Sequence, residues 1–359
     1  MAKAWIFLGL DSNLPCIYIY NAMNIQEEGL NFVFIQGIMP RSGTHYLMHL
    51  LCLHQKCRRS VLVEDGLLAR SSLLMKYIER SNRQWVVDAD LPEDMEAEQL
   101  LAEGLGEGLR IFLKRLTQQA LDQKKIPVTE TCDMDYRYMV TKTPNVSNLK
   151  NFFRLFPDEK LIILIRDGRS LVESINLSFK YNREAATRDW ANAARDIFEI
   201  QKQWTVEGKQ FLVIKYEELY ANTENEMRKI LSFLDLDTAR YDFEKALNSP
   251  VIGSSVFKRG AGPVHWEPVD KTAEFNPLQR SAKWNRKQHE RFNWLAGKEL
   301  IMWGYDPIKP GRIKFLWVLT NYFYDWGYAL KIWFWRFIRL NQFIGRKLKA
   351  YLKNDGVKT

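Results

Sequence analysis

Cysteine is scarce in this sequence, whose 359 residues include only four, at positions 16, 52, 57 and 132. So few thiols cannot form a disulfide framework, and their scarcity predicts a reducing, cytoplasmic compartment. Cys52, His54 and Cys57 are close in sequence, but a predicted helix would turn the two cysteines to different faces, and no fourth zinc ligand follows nearby. We therefore predict buried small side chains there and no metal site.

Internal repeats and low-complexity linkers are also missing. The apolar run in the opening MAKAWIFLGL is too short for the apolar region of a signal peptide, because Asp11 follows it directly. What the chain does contain is 46% hydrophobic and 13% aromatic residues, which is ample for a folded core.

Apolar, β-branched segments alternate with helical patterns along most of the chain. Strands are predicted at 32–35, 61–63, 138–141, 161–165 and 211–214, and helices at 45–54, 98–121, 146–156, 168–179 and 223–234. Thr223 and Glu226 are predicted to form a capping box. This alternation indicates an α/β fold with a P-loop-like parallel β-sheet flanked by helices on both faces. Ligands of such sheets bind beyond the carboxyl ends of the strands.

The stretch Gly37-Ile-Met-Pro-Arg41-Ser-Gly43-Thr44 joins the first predicted strand to a helix. Small residues let backbone N–H groups converge on an anion, and the helix N-terminus adds a favourable dipole. The Lys-Ser/Thr ending of a Walker A loop is missing. Arg41 supplies a planar fork instead, which suits phosphate or sulfate oxygens. The alternative to an anion-binding site is a tight strand–helix turn that carries a surface arginine.

A second constellation lies in LIILIRDGRSLVESINLSF, residues 161–179. Arg166 follows a predicted strand directly, and Ser174 lies about two helical turns later. Together they predict a second phosphate site. The alternative is a local Arg166–Asp167 ion pair and a buried hydroxyl.

These motifs resemble those of sulfotransferases that use 3′-phosphoadenosine-5′-phosphosulfate (PAPS), and in motif order they are most similar to the tyrosylprotein sulfotransferases. The resemblance covers roughly residues 32–306. It rests on the loop from Arg41 to Thr44, Glu64-Asp65, Lys142-Thr-Pro144, Arg166 with Ser174, Tyr216-Glu217, and Ser281-Ala-Lys283-Trp284. It divides the chain into an N-terminal extension (1–29), a sulfotransferase domain (30–311) and a basic, aromatic C-terminal helical extension (312–359).

The resemblance implies a role for each motif. Arg41, Ser42, Gly43 and Thr44 would bind the 5′-phosphosulfate, and Arg166 and Ser174 the 3′-phosphate. His45, at the same loop, would contact either the donor or the acceptor. Tyr216, Ser281 and Lys283 would add donor contacts. Lys142 and Arg41 would neutralise charge during in-line sulfuryl transfer, which requires no metal. Either Glu64 or Asp65 would be the base, with His265 as an isolated alternative.

The acceptor hydroxyl stays open among a carbohydrate, a small molecule and a protein tyrosine. Leu67, Leu68 and Ala69 stand where the tyrosylprotein enzymes carry arginines that hold acidic peptides, and His45 replaces their second threonine. Two other function classes are a P-loop-like nucleotide-dependent kinase and a non-catalytic membrane-associated nucleotide-binding protein. The missing Walker lysine argues against the kinase.

Positive charge is concentrated at the C-terminus. The net charge is +9, and residues 312–359 include ten basic and two acidic side chains among many aromatics. Segment 313–353 therefore predicts peripheral contact with anionic lipid at the inner face of a membrane. One alternative is that the segment packs on the domain or in a homodimer. A membrane span is the least favoured alternative, because it would bury Asp325 or Lys331 in the bilayer. Nucleic acid is not an expected partner.

Overall fold

The computed structural model describes residues 30–82, 97–123, 136–251, 277–308, 311 and 314–355. Five parallel strands form one sheet in the order β2-β3-β1-β4-β5. They are β1 (Asn31–Gly37), β2 (Cys57–Arg59), β3 (Tyr138–Thr143), β4 (Lys160–Ile165) and β5 (Phe211–Lys215). Val33 and Ile35 of the central strand are fully buried, as expected of a parallel strand covered on both faces.

Helices alternate with these strands, which confirms the predicted α/β class. They are α1 (Thr44–Leu51), α2 (Ser71–Asn82), α3 (Ala97–Asp122), α4 (Phe152–Leu155), α5 (Gly168–Phe179), α6 (Arg183–Val206), α7 (Tyr216–Ala221), α8 (Thr223–Phe233), α9 (Phe243–Asn248), α10 (Arg286–Met302) and α11 (Lys314–Asp355). Short 3₁₀ helices cover Leu68–Arg70, Leu149–Asn151, Thr238–Arg240 and Pro277–Lys283.

The described residues fall into two compact units. The first comprises 30–82, 97–123, 136–166 and 197–251 and includes the whole sheet; the second comprises 167–196, 277–308, 311 and 314–355. In the first unit, the carboxyl ends of β1, β3, β4 and β5 lie at one edge of the sheet because the strands are parallel. That edge is where a ligand of such a sheet is expected.

The predicted strand at 61–63 is wrong, because pairing with β3 occurs four residues earlier, where Cys57 lies opposite Tyr138. After Ser60 the chain turns away, and the Val61 N–H donates to Thr117 Oγ1 at 3.1 Å. The Val63 side chain is 60% exposed. The helix predicted at 45–54 is too long at its C-terminal end. The observed helix α1 ends at Leu51, and β2 begins at Cys57.

Two other local predictions are also wrong. Thr223 is the first residue of α8 rather than its cap, and its hydroxyl donates to the Leu219 carbonyl at 2.8 Å. The helix predicted at 146–156 is reduced to a 3₁₀ turn and the four residues of α4. Asn148 adopts a left-handed φ of 63°, which stops a helix from forming across it.

Helix α3 contains three glycines, yet it continues unbroken over 26 residues. Gly104 and Gly108 are exposed, but Gly106 is buried against α4. A Cβ at position 106 would overlap the Leu155 carbonyl oxygen. The close approach of α3 to α4 therefore requires glycine at this one position.

In the second unit, the N-terminal half of α11 is held against α6 and α10. Asp325 accepts hydrogen bonds from Arg188 and Arg291, both at 2.6 Å, and from Trp294 Nε1 at 2.7 Å. Asn321 Oδ1 accepts from Arg291 at 3.1 Å. Within the described parts of the chain, no helix is both long enough and apolar enough to cross a bilayer.

Candidate active site

The loop between β1 and α1 has an unusual backbone conformation. Arg41 has a φ of 74° and Gly43 a φ of 103°, and such left-handed values are costly for a residue with a Cβ. A Cβ at Gly43 would also overlap the ring of Tyr216, the first residue of α7. Tyr216, itself buried, therefore packs against the loop and supports this conformation.

Two arginines lie side by side at this loop. Arg166, at the end of β4, is 4% exposed, donates to the Arg41 carbonyl at 2.6 Å and stacks on Tyr216 with its guanidinium carbon 4.5 Å from the ring centre. Burial and then the charge of Arg166 lower the pKa of Arg41 to about 10. A bound anion would relieve this repulsion, so the pair favours a phosphate or sulfate ligand.

Buried polar atoms at the same edge fit such a ligand. The Ser42 hydroxyl and both amide atoms of Gln36 are fully buried, and none has a hydrogen-bond partner among the described residues. Buried polar groups without partners are rare and costly. A polar ligand with several oxygen atoms, as in a phosphosulfate, would satisfy them.

Lys142 lies on β3, beside β1, and its side chain is fully buried. Its Nζ atom is 3.3 Å from Glu64 Oε1, and the Glu64 side chain is 45% exposed. Burial lowers the pKa of Lys142, while the charges of Glu64 and Asp65 act in the opposite direction. This places a buried cation beside a carboxylate that remains accessible to a second substrate.

Asp65, the other predicted base, uses both carboxylate oxygens within the fold. Its Oδ2 accepts from the Thr141 hydroxyl at 2.9 Å, and its Oδ1 accepts from the Leu67 N–H at 2.9 Å. The next residue, Gly66, donates its N–H to Thr143 Oγ1 at 3.0 Å. Asp65 thus holds the chain after β2 against the end of β3.

His45, the second residue of α1, is a neutral imidazole at physiological pH. Burial, followed by the charges of Lys142, Arg59 and Arg41, lowers its pKa to about 3. A ring with so low a pKa is a poor general base near pH 7. It can still form a hydrogen bond to a ligand at the loop.

Ser174, Ser281 and Lys283 belong to the second unit. Ser174 is buried on α5, whereas Ser281 is half-buried and Lys283 exposed on the 3₁₀ helix Pro277–Lys283. The two elements are in contact, because the Ser170 hydroxyl donates to the Leu278 carbonyl at 2.5 Å. Trp284 is also tied to α5 by its Nε1 donating to Glu173 Oε2 at 2.8 Å.

The structure thus divides the predicted site residues between the units. The first unit brings together the Arg41–His45 loop, Glu64, Asp65, Lys142, Arg166 and Tyr216. The second unit brings together Ser174, Ser281 and Lys283. His265 lies outside the described residues.

Two residues at the edge were missed in the sequence. Gln36 could have been recognised as the one polar residue in the run FVFIQG, because a buried strand seldom carries an amide without a purpose. Arg59, whose charge acts on His45, lies in a strand that was predicted at the wrong position.

A model of the sulfotransferase family matches residues 33–240, more than half of the chain. Protein-tyrosine sulfotransferase A of Caenorhabditis elegans is 28% identical over 238 residues, which cover 63% of this chain and 56% of that protein. Protein-tyrosine sulfotransferase 1 of Danio rerio is 23% identical over 311 residues, covering 82% of this chain and 76% of that protein.

Among solved structures, the sulfotransferase domain of the Synechococcus PCC 7002 olefin synthase aligns with a TM-score of 0.38 at 18% identity, covering 84% of this chain and 96% of that domain. Sulfotransferase STF9 of Mycobacterium avium aligns with a TM-score of 0.41 at 16% identity, covering 82% of each chain. Because the family model spans more than half of the sequence, this chain belongs to the sulfotransferase family.

Proposed function

We propose that this protein transfers the sulfuryl group of PAPS to the hydroxyl of a protein tyrosine. The observation that carries the proposal is the Lys142–Glu64 pair at 3.3 Å, with its cation buried and its carboxylate exposed. Family membership supports the reaction class. The names of the curated relatives support tyrosine over a carbohydrate or a small molecule, although the chain spans only 56% of the C. elegans relative.

The donor, when bound, supplies an activated sulfuryl group on a phosphate. Arg41, Ser42 and the backbone from Gly43 to Thr44 would hold the phosphosulfate, and Arg166 the 3′-phosphate. Ser174, Tyr216, Ser281 and Lys283 stay predicted donor contacts. Lys142 would neutralise the charge that develops on the phosphate oxygen as its bond to sulfur breaks.

Glu64 is the better candidate for the base. Its carboxylate would take the hydroxyl proton as the acceptor oxygen bonds to sulfur, whereas both oxygens of Asp65 are already used within the fold. The proposed reaction has no step for a metal ion. Placement in the cytoplasm and assembly as a homodimer stay predictions.

The test is incubation with ³⁵S-labelled PAPS and three acceptors: a tyrosine peptide with acidic flanks, an oligosaccharide and a small phenol. We expect label in the peptide, and we expect Glu64→Gln to reduce kcat about 10²- to 10⁴-fold. Binding of 3′,5′-ADP should change less than about threefold, because a base that contacts the acceptor adds little to donor affinity.

The neighbouring substitution Asp65→Asn is the matched control, and it should lower the melting temperature more than Glu64→Gln does. Label in the oligosaccharide or the phenol alone would overturn the tyrosine assignment. Full activity of Glu64→Gln would overturn the base assignment. Turnover of Mg-ATP without binding of 3′,5′-ADP would support the kinase and contradict sulfuryl transfer.

A further inference from the structure

Helix α11 exposes a row of large apolar side chains along one face. Phe315, Tyr322, Trp326, Trp333 and Phe337 are between 50% and 70% exposed. They recur at intervals of seven and four residues, which places them on a single side of an α-helix. We call these five residues the aromatic stripe. A contiguous exposed patch of this kind marks an interaction surface.

The side of the helix that packs on α6 and α10 carries mostly different residues, although the Tyr322 ring of the aromatic stripe also lies 5.3 Å from the Trp294 ring. Asp325 and Asn321 are held by Arg188, Arg291 and Trp294, and the Trp317 ring lies 5.1 Å from the Trp294 ring. These contacts occupy positions between those of the aromatic stripe. Asn321, Asp325 and Trp317 therefore hold the helix in place, and the aromatic stripe stays at least half exposed.

The charge of this region indicates what the aromatic stripe contacts. Between residues 326 and 354 the sequence has no acidic residue and seven basic ones: Lys331, Arg336, Arg339, Arg346, Lys347, Lys349 and Lys353. Two such helices from separate copies would repel each other if they met along this segment. An anionic surface attracts them, because each basic residue near anionic lipid adds to binding.

We propose that α11 lies in the plane of an anionic membrane surface, with the aromatic stripe inserted among the headgroups and the basic residues beside lipid phosphates. Tryptophan and tyrosine favour this interfacial depth. The helix has 42 residues, so it is about 63 Å long and long enough to make an extended contact. The proposal does not depend on the reaction that the enzyme catalyses.

The test is sedimentation of the full chain with phosphatidylcholine vesicles and with vesicles containing about 30% phosphatidylserine. We expect binding to the anionic vesicles only, and loss of most of that binding at high salt. Trp333→Ser should weaken binding about tenfold because it removes an aromatic anchor. Arg346→Gln/Lys347→Gln/Lys349→Gln should weaken it about a hundredfold.

Trp335→Ser is the matched control, because Trp335 is also exposed, at 51%, but is not on the aromatic stripe. It should change binding by less than about twofold. Equal binding to both vesicle types, or equal effects of Trp333→Ser and Trp335→Ser, would overturn the proposal. A lipid-free dimer that dissociates on Trp333→Ser would also overturn it, because a second copy would then cover the aromatic stripe. Melting temperatures of all variants check that the fold is intact.

Discussion

At the scale of single residues, Lys142 is the least expected feature of the first unit. An isolated buried ammonium is costly, and its one close ion-pair partner in the described chain, Glu64, is half exposed to water. An apolar side chain of similar volume at this position would leave the fold equally or more stable. The cost is explained if the charge is needed by a ligand at the carboxyl edge of the sheet.

We predict that Lys142→Met separates stability from activity. Methionine has nearly the same shape and needs no hydration, so the melting temperature should stay the same or rise. Sulfate transfer should fall about 10²- to 10³-fold, because one preorganised charge is lost from the transition state. Thermal unfolding and the labelled-donor assay measure the two effects.

The control is Lys160→Met, which also removes a lysine from the parallel sheet. Lys160 begins β4 at the opposite, amino edge, where its Nζ donates to Gln210 at 3.1 Å. Its removal should leave activity within about twofold, because it lies at the edge of the sheet opposite the candidate site. A large fall in stability with Lys142→Met, and no specific fall in activity, would assign Lys142 a purely structural role.

The individual site residues could be predicted to different degrees. The Arg41–Thr44 loop was recognisable because small residues and one arginine follow an apolar strand. The choice between Glu64 and Asp65 could not be made, because it depends on Thr141, which lies 76 positions from Asp65 and is brought to it only by the pairing of strands. The lowered pKa of His45 likewise depends on burial in the folded chain and on the charge of Lys142, which is distant in sequence.

At the scale of elements, α3 shows how packing overrides propensity. Three glycines predict a weak helix, but contact with α4 stabilises it, and only Gly106 is required by that contact. The same principle explains the error at β2. Arg58 and Arg59 carry no strand signal, and pairing with β3 places them in the sheet regardless.

We predict opposite effects of two alanine substitutions in α3. Gly104→Ala should raise the free energy of unfolding by about 1 kcal/mol, because the site is exposed and alanine favours the helix. Gly106→Ala should lower it by about 1–3 kcal/mol, because its methyl group meets the Leu155 carbonyl. Urea unfolding of both variants checks the signs, and stabilisation by both would contradict the described contact of α3 with α4.

At the scale of the whole molecule, the buried Glu159 and the half-buried His45 should give its stability opposite responses to pH. Burial raises the pKa of Glu159 to about 7, although Arg110 and the Phe32 N–H act against the shift. Burial and neighbouring cations lower the pKa of His45 to about 3. The folded chain therefore binds a proton more readily than the unfolded chain at Glu159, and less readily at His45.

The ordinary pKa is 4.5 for the Glu159 carboxyl and 6.5 for the His45 imidazole, and the difference between folded and ordinary values sets the direction in which stability changes with pH. The contribution of Glu159 to stability is complete below pH 4.5 and is lost as the pH rises through about 7. The contribution of His45 is complete above pH 6.5 and is lost as the pH falls toward about 3. Between pH 4.5 and 6.5 the two trends offset each other, so the wild-type profile hides both.

We therefore predict that single substitutions reveal each trend. With Glu159→Gln, the stability difference from wild type should shift in favour of the variant as the pH rises from 4.5 to 7. With His45→Gln, it should shift in favour of the variant as the pH falls from 6.5, because glutamine takes up no proton. Urea unfolding at intervals across this range measures both differences. Parallel slopes for the two variants would contradict the assignment, because one group would then have the wrong direction of shift.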